Sequence, residues 1–97
     1  MAAIYTNITS ATTTTLITKG SGVSGNVKKI TITNHDDTDA NVIQLHLYDG
    51  SNTFVIIETS MPARTSLVLD DNLSFDSSVY NLRIITSSTA ETTIIIK

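Results

Sequence analysis

Side chains branched at Cβ dominate this chain: threonine occurs 17 times, isoleucine 13 times and valine six times in 97 residues. Such side chains are stiff about χ1, crowd the preceding turn of a helix and pack well on a pleated surface. They also recur with a period of two, and no 3.6-residue period is sustained anywhere, so the chain reads as strands. Ile4 to Ile8 and Thr13 to Thr18 are Thr-rich pieces. Lys28 to Asn34 places Ile30 and Ile32 on one face and Lys29, Thr31 and Thr33 on the other. Val42 to Tyr48 and Thr53 to Thr59 flank the turn Asp49-Gly50-Ser51-Asn52. Met61-Pro62-Ala63-Arg64 is a bend, because proline lacks the ladder donor. Ser66 to Asp70 follows, Leu73 and Phe75 continue after an Asp70-Asp71-Asn72 turn, and Val79 to Thr86 and Thr92 to Lys97 read as a closing hairpin around Ser87 to Glu91. Seven or eight short strands at about ten-residue spacing, with no helices between them, predict an all-β chain, an antiparallel β-sandwich or jelly roll.

A length of 97 residues allows one domain, 1–97, with the Thr-rich residues 1–25 as its N-terminal segment and a candidate arm. There is no cysteine, so packing or association must do what disulfides do in other small domains. Met1 to Ser10 has neither a basic start nor an apolar stretch of signal-peptide length. The longest apolar run is Phe54 to Ile57, far short of the roughly 20 residues that span a bilayer. A net charge of −3 leaves no basic footprint for nucleic acid. The expectation is a chain without membrane or nucleic-acid partners.

Motifs that would carry chemistry fail on their context. Gly20, Gly22 and Gly25 spell a dinucleotide fingerprint, but alternating residues follow where the motif needs a helix N-terminus to receive pyrophosphate. Asp37, Asp39 and Asn41 open like a calcium loop, yet Val42 stands where its glycine belongs and Tyr48 where its bidentate glutamate belongs. Asp70 and Asp71 are neighbours, which on a strand point to opposite faces and cannot share a proton. His35 and His46 are the only histidines and have no metal-binding spacing, and no G-x-S-x-G elbow is present. Asn7-Ile8-Thr9 and Asn72-Leu73-Ser74 fit the glycosylation pattern at the frequency chance predicts. The sequence therefore predicts no enzyme, no cofactor and no metal site. Five aromatic residues and no tryptophan leave little for sugar platforms, with Tyr48 and Tyr80 the candidates.

The two hairpins are apolar on both faces. With positions paired to sum to 101, Leu47 meets Phe54, Leu45 meets Ile56 and Ile43 meets Glu58, while His46 meets Val55 and Gln44 meets Ile57 on the other side. In the closing hairpin Ile84 meets Ile94 and Leu82 meets Ile96, leaving Ile85 and Ile95 on the second face. Val55, Ile57, Ile85 and Ile95 are thus candidate interface residues, and the low-charge stretch Thr93 to Lys97 is a candidate pairing edge. A homo-oligomer, a trimer or higher, is the expected state.

The string Lys28-Lys29-Ile30-Thr31-Ile32-Thr33-Asn34, the alternating hairpin after it and Met61-Pro62-Ala63-Arg64-Thr65-Ser66-Leu67-Val68-Leu69 resemble segments of small virion proteins of tailed bacteriophages. The likeness spans residues 26 to 97 and includes a Ser/Thr-rich closing hairpin like Tyr80 to Ile96. It implies a β-sandwich with no catalytic residues that repeats on a particle as a capsid decoration or cement protein, or as a neck or tail component. It also implies partners among other phage structural proteins and a place in the virion after assembly in the host cytoplasm. The alternative is a module on a tail or spike that binds host-surface glycans or a receptor.

Overall fold

The computed structural model describes residues 3–70 and 72–97, and the Asp70-Asp71-Asn72 turn expected from the sequence falls partly outside them at Asp71. Among the described residues ten strands are formed: β1 Ile4–Ile8, β2 Thr13–Ile17, β3 Asn26–Val27, β4 Ile30–Asn34, β5 Asn41–Tyr48, β6 Thr53–Met61, β7 Thr65–Leu69, β8 Leu73–Ser74, β9 Asn81–Thr86 and β10 Thr92–Ile96. One four-stranded sheet, here sheet A, has the order β1-β10-β4-β7. A second, sheet B, has the order β2-β9-β5-β6, and β3 pairs with β8 in a small accessory ladder. All pairs are antiparallel. With the two-residue strands set aside, sheet A holds the first, eighth, third and sixth long strands and sheet B the second, seventh, fourth and fifth. That order is a jelly roll.

Alternation decides which residues fill the space between the sheets. Sheet A contributes cross-strand rows running inward, Ile4–Ile96–Ile30–Leu69 and Thr6–Ile94–Ile32–Leu67. Sheet B answers with Ile43, Leu45, Leu82 and Ile84, all fully buried. Burying an isoleucine or leucine completely is worth about 1.5–3 kcal/mol, so these rows carry most of the cohesion of the fold.

Three expectations change at this level. Tyr80 to Ile96 does not form a hairpin: β9 lies in sheet B between β2 and β5, while β10 lies in sheet A between β1 and β4. Ser87 to Glu91 instead crosses from one sheet to the other, so Leu82 and Ile84 meet Ile94 and Ile96 across the core rather than beside them. The crossing is held by Asn41, whose Oδ1 accepts from the Ser87 backbone N–H at 2.9 Å, and by Ser88, whose hydroxyl donates to the Ala40 carbonyl at 2.9 Å. The Thr-rich N-terminal segment is not an arm, since β1 and β2 supply one strand to each sheet. The β5–β6 hairpin keeps the expected register only from its turn to His46–Val55. A bulge then shifts it by one, so that Leu45 pairs with Ile57 and Gln44 with Glu58.

Gly25 sits where β3 enters the accessory ladder. A Cβ there would collide with the carbonyl oxygen of Phe75, whose N–H donates to the Gly25 carbonyl at 3.1 Å. Gly25→Ala must push two backbones apart and is expected to lower the unfolding free energy by about 2 kcal/mol in urea titrations. Gly25 therefore serves a close backbone approach, whereas Gly20 and Gly22 have open space around them and take positive φ, and the pattern is followed by a strand rather than a helix.

Candidate functional surfaces

The outer face of sheet A is ordered in rows. Tyr5, Ile95, Thr31 and Val68 lie side by side across the four strands, and Asn7, Thr93, Thr33 and Ser66 form the next row. The second row satisfies itself: Thr93 Oγ1 donates to Asn7 Oδ1 at 2.6 Å and Thr33 Oγ1 lies 3.0 Å from Ser66 Oγ. Neither row contains a charge. The apolar row is open, with Tyr5 71% and Val68 48% exposed; Ile95, between them, is half-buried. Charges begin only at the strand ends. Lys29 and Lys97 are joined by backbone hydrogen bonds at one end. At the other, Glu91 and His35 are joined by a backbone bond and a 3.2 Å contact between Nδ1 and Oε2.

Sheet B presents a different face. Its middle is a cluster formed by three outward positions of β5 and β9. Arg83 Nε donates to His46 Nε2 at 3.0 Å, and the Arg83 guanidinium carbon lies 3.9 Å from the centre of the Tyr48 ring. His46 is 0% exposed and its Nδ1 has no hydrogen-bond partner among the described residues. Because Nε2 accepts, the imidazole is neutral with its proton on Nδ1. Burial, and then the adjacent Arg83 cation, hold its pKa below the ordinary histidine value. Protonation would set a second N–H against the guanidinium.

The sign follows from linkage. A histidine whose folded pKa is depressed contributes its full stability above the unfolded value of about 6.5 and loses it as pH falls below that point. The unfolding free energy should therefore drop by up to about 1.4 kcal/mol per pH unit below pH 6.5, in a His35→Gln background that removes the other histidine. In His46→Gln the slope should vanish. Asp36, Asp49 and Asp76 are shifted down by hydrogen bonds they accept in their own turns, from backbone N–H groups first at Asp36 and Asp49 and from the Ser78 hydroxyl first at Asp76. Their stabilisation is lost only as pH falls below the usual aspartate range, outside the histidine window.

Of the four interface candidates, Val55 is 52% and Ile85 36% exposed, both on the outer face of sheet B. Val55 sits opposite His46, while Ile85 is flanked by Thr13 and Gln44. Ile95 belongs to the other sheet, which the expected closing hairpin concealed. Ile57 is removed from the set, because the bulge turns it inward to pair with Leu45 and pack against the core. Sequence reasoning missed Asn34 and Asn41. Both are buried: Asn34 Nδ2 donates to the carbonyls of Asp39, Met61 and Pro62, and Asn41 Nδ2 donates to Thr92 Oγ1. The available signal was that Asn34 continues the inward series Ile30, Ile32.

The calcium-like trio does not converge. Asp37 pairs with Arg64 at 3.0 Å and Asn41 is committed inside the sandwich. The tyrosines proposed as sugar platforms are partly engaged: Tyr48 carries Arg83 on its ring and donates to the Gly50 carbonyl at 2.9 Å, and Tyr80 meets Phe54 edge-on at 5.9 Å. No helix is long and apolar enough to cross a membrane among the described residues.

No family model and no curated protein sequence matches the chain. Solved structures do. A pentameric capsid protein isolated from metagenomic phage sequences superposes with a TM-score of 0.55 at 15% identity, covering 98% of this chain and 59% of its own. This chain thus spans about three fifths of that protein's length. PirA superposes with a TM-score of 0.55 at 10% identity over 97% of this chain and 90% of its own. A Clostridium thermocellum xylanase fragment with CBM22-1 and GH10 modules, complexed with xylohexaose, gives 0.50 at 15% identity over 98% of this chain and 24% of its own. At such identities the likeness is one of architecture, and this chain has the small jelly-roll fold also seen in a pentameric phage capsid protein.

Proposed function

We propose that this chain is a structural protein of a virus particle, a bacteriophage virion component that self-associates and decorates or reinforces the capsid, or serves in the neck or tail. The observation that carries the reading is that this jelly roll leaves large apolar side chains exposed on both outer faces, Tyr5 and Val68 on sheet A and Val42, Val55 and Ile85 on sheet B. Large apolar side chains left exposed on outer sheet faces are suited to association. The fold shared with a pentameric capsid protein supports the same reading. Its partners would be further copies of itself and other phage structural proteins, and its place the virion. Particles purified from the virus that encodes the chain should contain it in a fixed copy number, and the isolated protein should rebind particles stripped of it. Absence from the particle, or failure to rebind, overturns the proposal.

The second reading, a glycan-binding module on a tail or spike, is favoured by the likeness to the xylanase fragment and by the aromatic pair Phe54 and Tyr80, with Phe54 51% exposed. Binding on a glycan array that disappears in Tyr80→Ala would select it.

A further inference from the structure

Resting on the proposed self-association, we infer that the outer face of sheet A is a two-fold contact between two copies of this chain, with the axis running across the strands over the Thr6–Ile94–Ile32–Leu67 row. That row divides the face into halves of opposite charge. Lys97 lies three residues beyond Ile94 on β10, and Glu91 three residues before it. A two-fold rotation about the row brings Lys97 of each copy over Glu91 of the other. Among the described residues, the exception to the charge sense at each end lies beside β7, Asp70 at the lysine end and Arg64, which also pairs with Asp37 at 3.0 Å within its own chain, at the glutamate end. These also stand three residues either side of a row member, Leu67, and the same rotation brings them together. Lys29 and His35 are likewise placed about Ile32, and His35 is in contact with Glu91. A face whose charges are matched by its own rotated image fits a second copy of itself, since an isologous contact must be self-complementary.

The band between the charges is suited to being covered. Covering polar groups is costly when they lose water without replacement, but the Asn7–Thr93–Thr33–Ser66 row already bonds within itself. The rotation lays this row against Tyr5, Ile95, Thr31 and Val68 of the other copy, giving a central band free of charge and a charged rim. Sheet B lacks these properties, because its centre holds Arg83 and Glu58 projects from β6. At strand spacings of about 4.8 Å and a rise of about 3.3 Å per residue, the face measures roughly 400 Å² per copy. That is the size of a weak contact, of the kind that many copies on one particle can sum.

Sedimentation equilibrium on the whole chain tests this. The wild type should dimerise, and Glu91→Lys or Lys97→Glu alone should weaken the dimer about tenfold, because each single reversal places two like-charged pairs in the contact. The double variant should return to within about twofold of the wild type. Ile95→Asp should abolish dimerisation, and Val55→Asp on sheet B should leave it unchanged; circular dichroism establishes that each variant is folded. The exposed charge reversals keep the test decisive even where Ile95→Asp fails to fold. If the wild type associates but the double variant does not recover, or Val55→Asp is the variant that blocks association, the sheet A contact is overturned and the self-associating reading stands. A wild type still monomeric at about 1 millimolar overturns both.

Discussion

Asn34→Asp is expected to destabilise the fold by about 4 kcal/mol at neutral pH. The side chain keeps its shape, so packing is unchanged and only the chemistry of one atom differs. Asn34 Nδ2 donates to Asp39 O at 2.9 Å, Met61 O at 3.1 Å and Pro62 O at 3.3 Å, while its Oδ1 accepts from the Asp36 N–H at 3.2 Å. A carboxylate would turn a donor toward three carbonyl oxygens into an anion facing them, at a residue that is fully buried. Leaving buried acceptors unmade costs about 1–3 kcal/mol and burying an unpaired charge adds to it. Asn34→Ala, which loses the bonds without adding charge, should cost about 3 kcal/mol, a fall of roughly 15 °C in Tm for a domain of this size. The aspartate variant should recover part of its loss on acidification, since a neutral carboxyl can donate once. Urea titrations at pH 7 and pH 4.5, compared with the wild type at each pH, separate the two. An aspartate variant as stable as the wild type would mean that the amide is not the clamp joining the β4–β5 loop to the bend at Pro62.

The same residue shows how far the sequence can be read. Alternation alone places Ile30, Ile32 and Asn34 on one face of β4, and the structure buries all three. It also predicts the Asp49 to Asn52 turn, where the Asp49 carboxylate accepts from the N–H groups of Ser51 and Asn52 and Gly50 takes a φ of 104°. What alternation does not encode is the sheet a strand joins. β9 and β10 have the apolar pattern of a hairpin and of two strands facing each other across a core, because either arrangement points Leu82, Ile84, Ile94 and Ile96 at the same space. The five residues between them fit both. The choice is made by contacts remote in sequence, Asn41 with Ser87 and Thr92 among them. For the candidate surfaces, this means that the sequence identifies Ile85 and Ile95 as outward-facing but places them on one surface, whereas they lie on opposite sides of the molecule. His46 reads as an ordinary outer-face residue. Its burial in the folded chain, and then Arg83 across the strand, make it a neutral acceptor.

A second large effect separates two residues that are neighbours in the chain. Ile57→Asp is expected to cost about 3 kcal/mol or more and to abolish cooperative unfolding under mild conditions, whereas Val55→Asp should change stability by no more than about 0.5 kcal/mol. In an unbroken strand positions 55 and 57 share a face, and both would then be surface residues. The bulge on the β5–β6 ladder breaks that parity: Val55 stays opposite His46 and half-exposed, while Ile57 moves opposite Leu45, which is fully buried. A carboxylate at 57 would face Leu45 and the core, and must either desolvate or pull the end of β6 away. At 55 it remains in water on the outer face of sheet B. Paired urea titrations of the two variants read the difference directly. Equal small losses would place Ile57 outside the core and restore an unbroken register. Equal large losses would mean that the outer face of sheet B is already needed for the fold of a single chain, leaving sheet A as the surface free to meet another copy.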